Sequence, residues 1–149
     1  LPSCLDRFPV SIDVIDAEFH APAGHNPRHH CVGNHDLRSD AASCTLREDF
    51  AKCPPYGTSA ESLMVAFAGT QDLTGLLEVD LPLPENYIDA ATETKLQLNV
   101  PRLRKVPSLI ESCDHLKIPH EITVEQKKKE ARRFNKAELS DDDRREMRA

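Results

Sequence analysis

The sequence has no tryptophan, only two tyrosines and five phenylalanines, and only five glycines in 149 residues. Large aromatic side chains usually dominate core burial, so any core here must be small and aliphatic. Leu, Ile, Val and Phe together make 35 of the 149 residues, about 23%, close to the level of about 20% below which chains fail to fold. The longest apolar run, Leu63 to Ala68, is six residues, far below the roughly 20 needed to span a bilayer. No Gly-x-Ser-x-Gly, phosphate-binding glycine loop or dinucleotide fingerprint occurs. The chain opens on Leu1 rather than Met, as expected of a processed protein or a fragment.

Proline, by contrast, is plentiful. Eleven prolines remove donors and stop helices, which predicts short elements joined by extended segments. The expected fold is α+β, small and largely irregular, with short helices and extended Pro-rich arms. Three segments are expected. Residues 1–57 form a His/Pro-rich arm with one short helix, 58–122 a small helical and extended core, and 123–149 a charged C-terminal helix.

Alternation over Val10 to Val14 predicts a half-buried strand, and the His, Pro, Gly and Asn content of 20–39 predicts a loop. Asp40 reads as the cap of a helix to Lys52. Thr58-Ser-Ala-Glu61 reads as a capping box for a helix carrying Leu63, Met64 and Phe67 and stopped by Gly69. Residues 76–83 read as extended, 85–91 as a short helix and 96–100 as a strand. Helices are predicted from Pro107, with Leu109, Ile110, Cys113 and Leu116 on one side, and from the capping box Thr123-Val-Glu-Gln126. Ser140-Asp-Asp-Asp143 opens a further capped turn. The core is placed at 58–69 and 107–117.

The net charge of −6 is uneven. Residues 1–122 carry ten Lys+Arg against eighteen Asp+Glu, and 123–149 carry nine against seven. An acidic body argues against broad nucleic-acid binding, which needs a basic face. Five cysteines leave at least one unpaired within the chain, and one bridge, Cys44–Cys53 or Cys31–Cys53, suits an oxidising compartment.

Four groups carry candidate chemistry. Residues 20–53 concentrate His20, His25, His29, His30, Cys31, His35, Cys44 and Cys53, the ligand types that zinc takes in a tetrahedron. His29, Cys31, Cys44 and Cys53 are the set chosen, although the spacing matches no recognised zinc pattern. Gly33-Asn-His-Asp36 resembles the Gly-Asn-His-Asp motif of calcineurin-like metallophosphoesterases, which implies a two-metal site held in part by Asn34 and His35. The other motifs of that family, Asp-x-His, Gly-Asp-x-x-Asp and Gly-His-x-His, do not occur. Cys113 precedes Asp114 and His115, but sequence neighbours on a helix point about 100° apart, and Cys113 falls on the apolar stripe as a buried thiol would. The run Lys127-Lys-Lys129 and Arg132-Arg133 could hold phosphate or an acidic partner. Interleaved Glu125, Glu130 and Glu138 favour a solvated helix or one docked on a partner subunit through Phe134 and Leu139.

The leading expectation is therefore a non-catalytic structural or accessory subunit of a large assembly, ordered by other protein subunits and placed in a mitochondrial respiratory or ATP-synthase complex. The alternatives are a zinc-binding module centred on 20–53 and a hydrolase fragment.

Overall fold

The computed structural model describes residues 4–52, 54–98, 107–134, 136 and 138–147. A single-turn 3-10 helix, Cys4–Arg7, leads into strand β1 (Ser11–His20). Then come β2 (Arg28–Asp36), β3 (Ala41–Leu46), a 3-10 helix Arg47–Lys52, β4 (Ser62–Ala66), helix α1 (Thr70–Leu77), β5 (Tyr87–Asp89), α2 (Ala90–Gln97), α3 (Leu109–Leu116), α4 (Val124–Phe134) and α5 (Asp141–Met147). The strands form one five-stranded sheet in the order β3-β2-β1-β4-β5. β1, β2 and β3 are antiparallel neighbours, whereas β4 and β5 run parallel to β1. The α+β expectation with short helices stands. The Pro-rich arms do not: the N-terminal segment supplies three of the five strands.

β1 is built from Ile12, Val14, Ile15 and Ala17, and successive side chains of a strand point to opposite faces. Ile15 and Ala17 enter the core with Val32, Phe50, Tyr56, Met64, Ala66, Leu76 and Leu81. The core's largest side chains include Phe50, Leu63, Met64 and Leu76. β4 is an uninterrupted apolar run because a central parallel strand is covered on both faces. Its residues are core residues, as the sequence predicts, but they are a strand and not a helix. The expected second core segment, 107–117, buries Pro107 and, within α3, only Ser112.

Two glycines permit close approaches. A Cβ on Gly75 of α1 would sit 2.3 Å from Nε2 of His29, so α1 can lie on β2 only because that position has no side chain. A Cβ on Gly57 would meet the Ser62 and Ser11 hydroxyls at 2.4 and 2.5 Å, and the Gly57 amide reaches Oδ2 of Asp13 at 2.7 Å.

The C-terminal helices start where their capping signals place them. The Ser108 hydroxyl accepts from the Glu111 amide at 3.3 Å, and the Ser108 amide donates in turn to the Glu111 carboxylate at 2.6 Å. Thr123 and Gln126 exchange the same pair of bonds before α4, and the Ser140 hydroxyl accepts from the Asp143 amide before α5.

Candidate active site

Four carboxylates converge where β1, α1 and β5 meet. Asp16 and Glu18 are two apart on β1, so both project from the face opposite Ile15 and Ala17. Asp16 is exposed and Glu18 half-buried. Directly across on β2 stand Gly33 and Cys31, and Gly33 leaves Asp16 with no neighbouring side chain on that strand. Asp72, in the first turn of α1, is only 6% exposed. Burial first, then the charges of Asp16, Glu18 and Asp89, push its carboxyl up to about 7. The amino end of a helix favours a carboxylate by about 0.3–1 kcal/mol, too little to offset burial beside three acids.

Asp89 ends β5 and caps α2. Its Oδ1 accepts from the amides of Ala91 at 2.9 Å, Thr92 at 3.4 Å and Ala68 at 3.0 Å. That last bond ties the loop before α1 to the end of β5. Ala68 holds a left-handed backbone, φ 58°, which costs about 1–2 kcal/mol for a non-glycine residue. Strain of this kind clusters at functional sites.

Asp16 and Glu18 form one wall of a cleft of about 370 Å³. The facing wall comes from Leu109, Ile110 and Cys113 of α3, His120 and Ile122 of the following loop, and Lys127 and Ala131 of α4. Nε2 of His120 is held 3.1 Å from Oδ1 of Asp114. The cleft thus sets acids against an apolar wall carrying one lysine and one histidine. Asp-x-Glu at strand spacing is the signal for it in the sequence, and it lies beyond the Val10–Val14 alternation because β1 runs on to His20.

The residues singled out from the sequence fall elsewhere. His29 is fully buried between Phe19, 5.9 Å away ring to ring, and Gly75, and burial lowers its pKa to about 4. Cys31 and Cys44 are neighbours across β2 and β3, and burial and the Cys44 thiol hold the Cys31 thiol well above the usual range. Cys53 lies outside the described residues. Among the described residues no group of three or more His, Cys, Asp or Glu is arranged to hold a metal ion. Segment 20–53 forms β2, β3 and a 3-10 helix, in which His29 and Cys31 are buried, Cys44 is half-buried and His25 and His35 are exposed.

Gly33-Asn-His-Asp36 is a strand end with three separate tasks. Asn34 donates to Asp13 at 2.8 Å, His35 meets Asp40 at 2.9 Å, and Asp36 accepts from Ile12, Arg38 and Ser39 in the β2–β3 turn. Cys113 lines the cleft beside Leu109 and Ile110. Leu139 is buried within the chain, lining a second cavity of about 570 Å³ with Arg28, His30, Arg47, Glu48 and Arg144. The Phe134 side chain lies outside the described set.

Neither a protein-family model nor a curated protein sequence matches the chain. Its fold is similar to solved structures that include the following. One is Escherichia coli RNase D, an exoribonuclease involved in structured RNA processing, with a TM-score of 0.53 and 15% identity over 88% of this chain and 37% of that one. Another is the Aedes aegypti Nibbler EXO domain, with a TM-score of 0.55 and 12% identity over 97% of this chain and 74% of that one. The chain spans little more than a third of the RNase D chain. These likenesses overturn the expectation of a non-catalytic accessory subunit of a mitochondrial assembly. That expectation rested on a supposed lack of regular fold, and the fold is one that exonuclease domains use. No helix among the described residues is long and apolar enough to cross a membrane.

Proposed function

We propose that this chain is a nuclease-type hydrolase that cleaves phosphodiester bonds of an RNA strand, with Asp16, Glu18, Asp72 and Asp89 as its acid set. The observation that carries the reading is Asp72: a carboxyl sealed from water, surrounded by acids and lifted to about 7. A chain gains no stability from such an arrangement, so the grouping points to a task. The likeness to RNase D and to the Nibbler EXO domain supports the same reading.

The donor chemistry fits a hard divalent cation such as Mg²⁺ or Mn²⁺, which prefers carboxylate oxygens. As they stand, the described residues contain no trio gathered tightly enough to hold one, so binding would draw these carboxylates together. A bound ion would offset phosphate charge and activate water. The chain's own contribution is positional. Asp16 and Glu18 open directly into the cleft, and Asp89 fixes the loop that leads into α1 and Asp72. The apolar wall of Leu109, Ile110 and Ile122 offers a dry surface for a base or sugar.

The test is incubation of the chain with a 5′-labelled single-stranded RNA and Mn²⁺ or Mg²⁺. The RNA should shorten, and Asp16→Asn and Asp72→Asn should each lower the rate by about 10²-fold or more while keeping a cooperative thermal melt. RNA left intact by the unaltered chain, or cleaved equally by both variants, overturns the reading.

A further inference from the structure

We propose that the basic face of α4 is the surface along which a single nucleic-acid strand lays its phosphates as it enters the acidic cleft. This rests on the reading of that cleft as a phosphodiester-cleaving site, and adds the path of the strand. Five of the seven residues 127–133 are Lys or Arg, in a chain whose first 122 residues are strongly acidic. Helical spacing divides α4 into two working faces. Lys127 and Ala131, four apart, line the cleft opposite Asp16 and Glu18. Lys128 and Arg132, again four apart, lie one residue further round the helix and are exposed, as is Lys129.

Among the described residues no ion pair engages Lys127, Lys128, Lys129 or Arg132, although Glu125 stands four residues before Lys129. Arg144 and Arg145, by contrast, are paired with Glu48 at 3.0 Å and Asp142 at 3.4 Å. The arrangement answers a difficulty built into the cleft, whose acid wall repels a polyanion. A row of exposed cations on the rim supplies the opposing field that draws phosphates in. Lys127 reaches across the opening, and the exposed cations extend the track outward. The cleft's roughly 370 Å³ lies at the small end of ligand sites and suits one strand end, not a duplex.

The probe is a 5′-fluorescein single-stranded RNA 12-mer, titrated with the full chain by fluorescence anisotropy at several salt concentrations between 50 and 200 mM. The triple variant Lys128→Glu, Lys129→Glu, Arg132→Glu alters exposed side chains only, and far-UV circular dichroism confirms that α4 persists. Its affinity should fall at least tenfold, and its salt slope should shrink by about 2, near 0.7 for each lost phosphate contact. Lys127→Ala should weaken binding by about threefold to tenfold. Unchanged affinity and slope in the triple variant overturn the strand path, and if the unaltered chain still cleaves RNA the nuclease reading survives. Binding through α4 without cleavage by the unaltered chain removes the nuclease reading and keeps the surface. Neither binding nor cleavage removes both.

Discussion

Asp13, near the start of β1, and Asp72, at the start of α1, are 3% and 6% exposed, yet their surroundings are opposed. Asp13 receives the Ser11 hydroxyl at 2.6 Å, the Gly57 amide at 2.7 Å and the Asn34 side-chain amide at 2.8 Å. Every one of these contacts is a donor aimed at the carboxylate, and the acid ties three segments of chain together. The charges acting on Asp72 come from Asp16, Glu18 and Asp89, and each disfavours its ionisation. Equal burial thus yields a structural brace at one place and a poised, repulsive cluster at the other. What separates them is the sign of the neighbours, not the distance from water.

The largest effect should come from removing the brace. Asp13→Ala strands three buried or half-buried donors and should cost about 3–4 kcal/mol in urea denaturation; a loss under about 1 kcal/mol would erase the contrast. Asp72→Asn should act in the opposite direction. The folded chain holds the Asp72 proton up to about pH 7, whereas the unfolded chain releases it near 3.8. Folding is therefore uncompromised by this group below about pH 4 and loses stability as pH rises to 7. A shift of that size corresponds to roughly 4 kcal/mol at most, and about half is expected after local hydration and relaxation. In chelator-treated protein, Asp72→Asn should gain about 2 kcal/mol at pH 8, gain nothing near pH 4, and flatten the slope between. A parallel pH profile for variant and parent would count against the acid cluster. The smallest effect is at Ala68. Glycine adopts a φ of 58° without a Cβ penalty, so Ala68→Gly should stabilise by about 0.5 kcal/mol in a thermal melt, after the entropy that glycine adds to the unfolded chain.

How much of this could be read from residues alone depended on how local each signal was. α3, α4 and α5 begin close to where the sequence places them, because a capping serine or threonine and its acid or amide partner are three residues apart. The strands were harder. β2 looked like a loop because His29, His30, Gly33 and Asn34 are poor strand formers. It is held by pairing with β1 on one side and β3 on the other, information that lies far away in sequence. Asp40 looked like a helix cap but takes φ 57° as part of a turn. Thr58 and Glu61 imitate a capping box ahead of what is a buried strand, and the apolar run of 63–66 fits either element. Residues 76–83 read as extended, yet Leu76 and Leu77 close α1, whose place on β2 depends on the pairing of Gly75 with His29. The acid site shared this difficulty: Asp16 and Glu18 are legible as a strand pair, but nothing near them in sequence announces Asp72 or Asp89.

The parallel pairing of β1 with β4, from Ser11 opposite Ser62 to Val14 opposite Val65, also orders events in time. β1, β2 and β3 are joined by short turns and can associate early, while β4 must close a loop of about forty residues to reach β1, and β5 can add only once β4 is in place. Two acids of the cluster are laid down with the first hairpin; the other two arrive only with the late-docking elements. Mutual repulsion is therefore absent while the meander nucleates and is felt once the topology is locked. Its kinetic burden should fall mainly on the rate of unfolding, with little effect on the rate of folding.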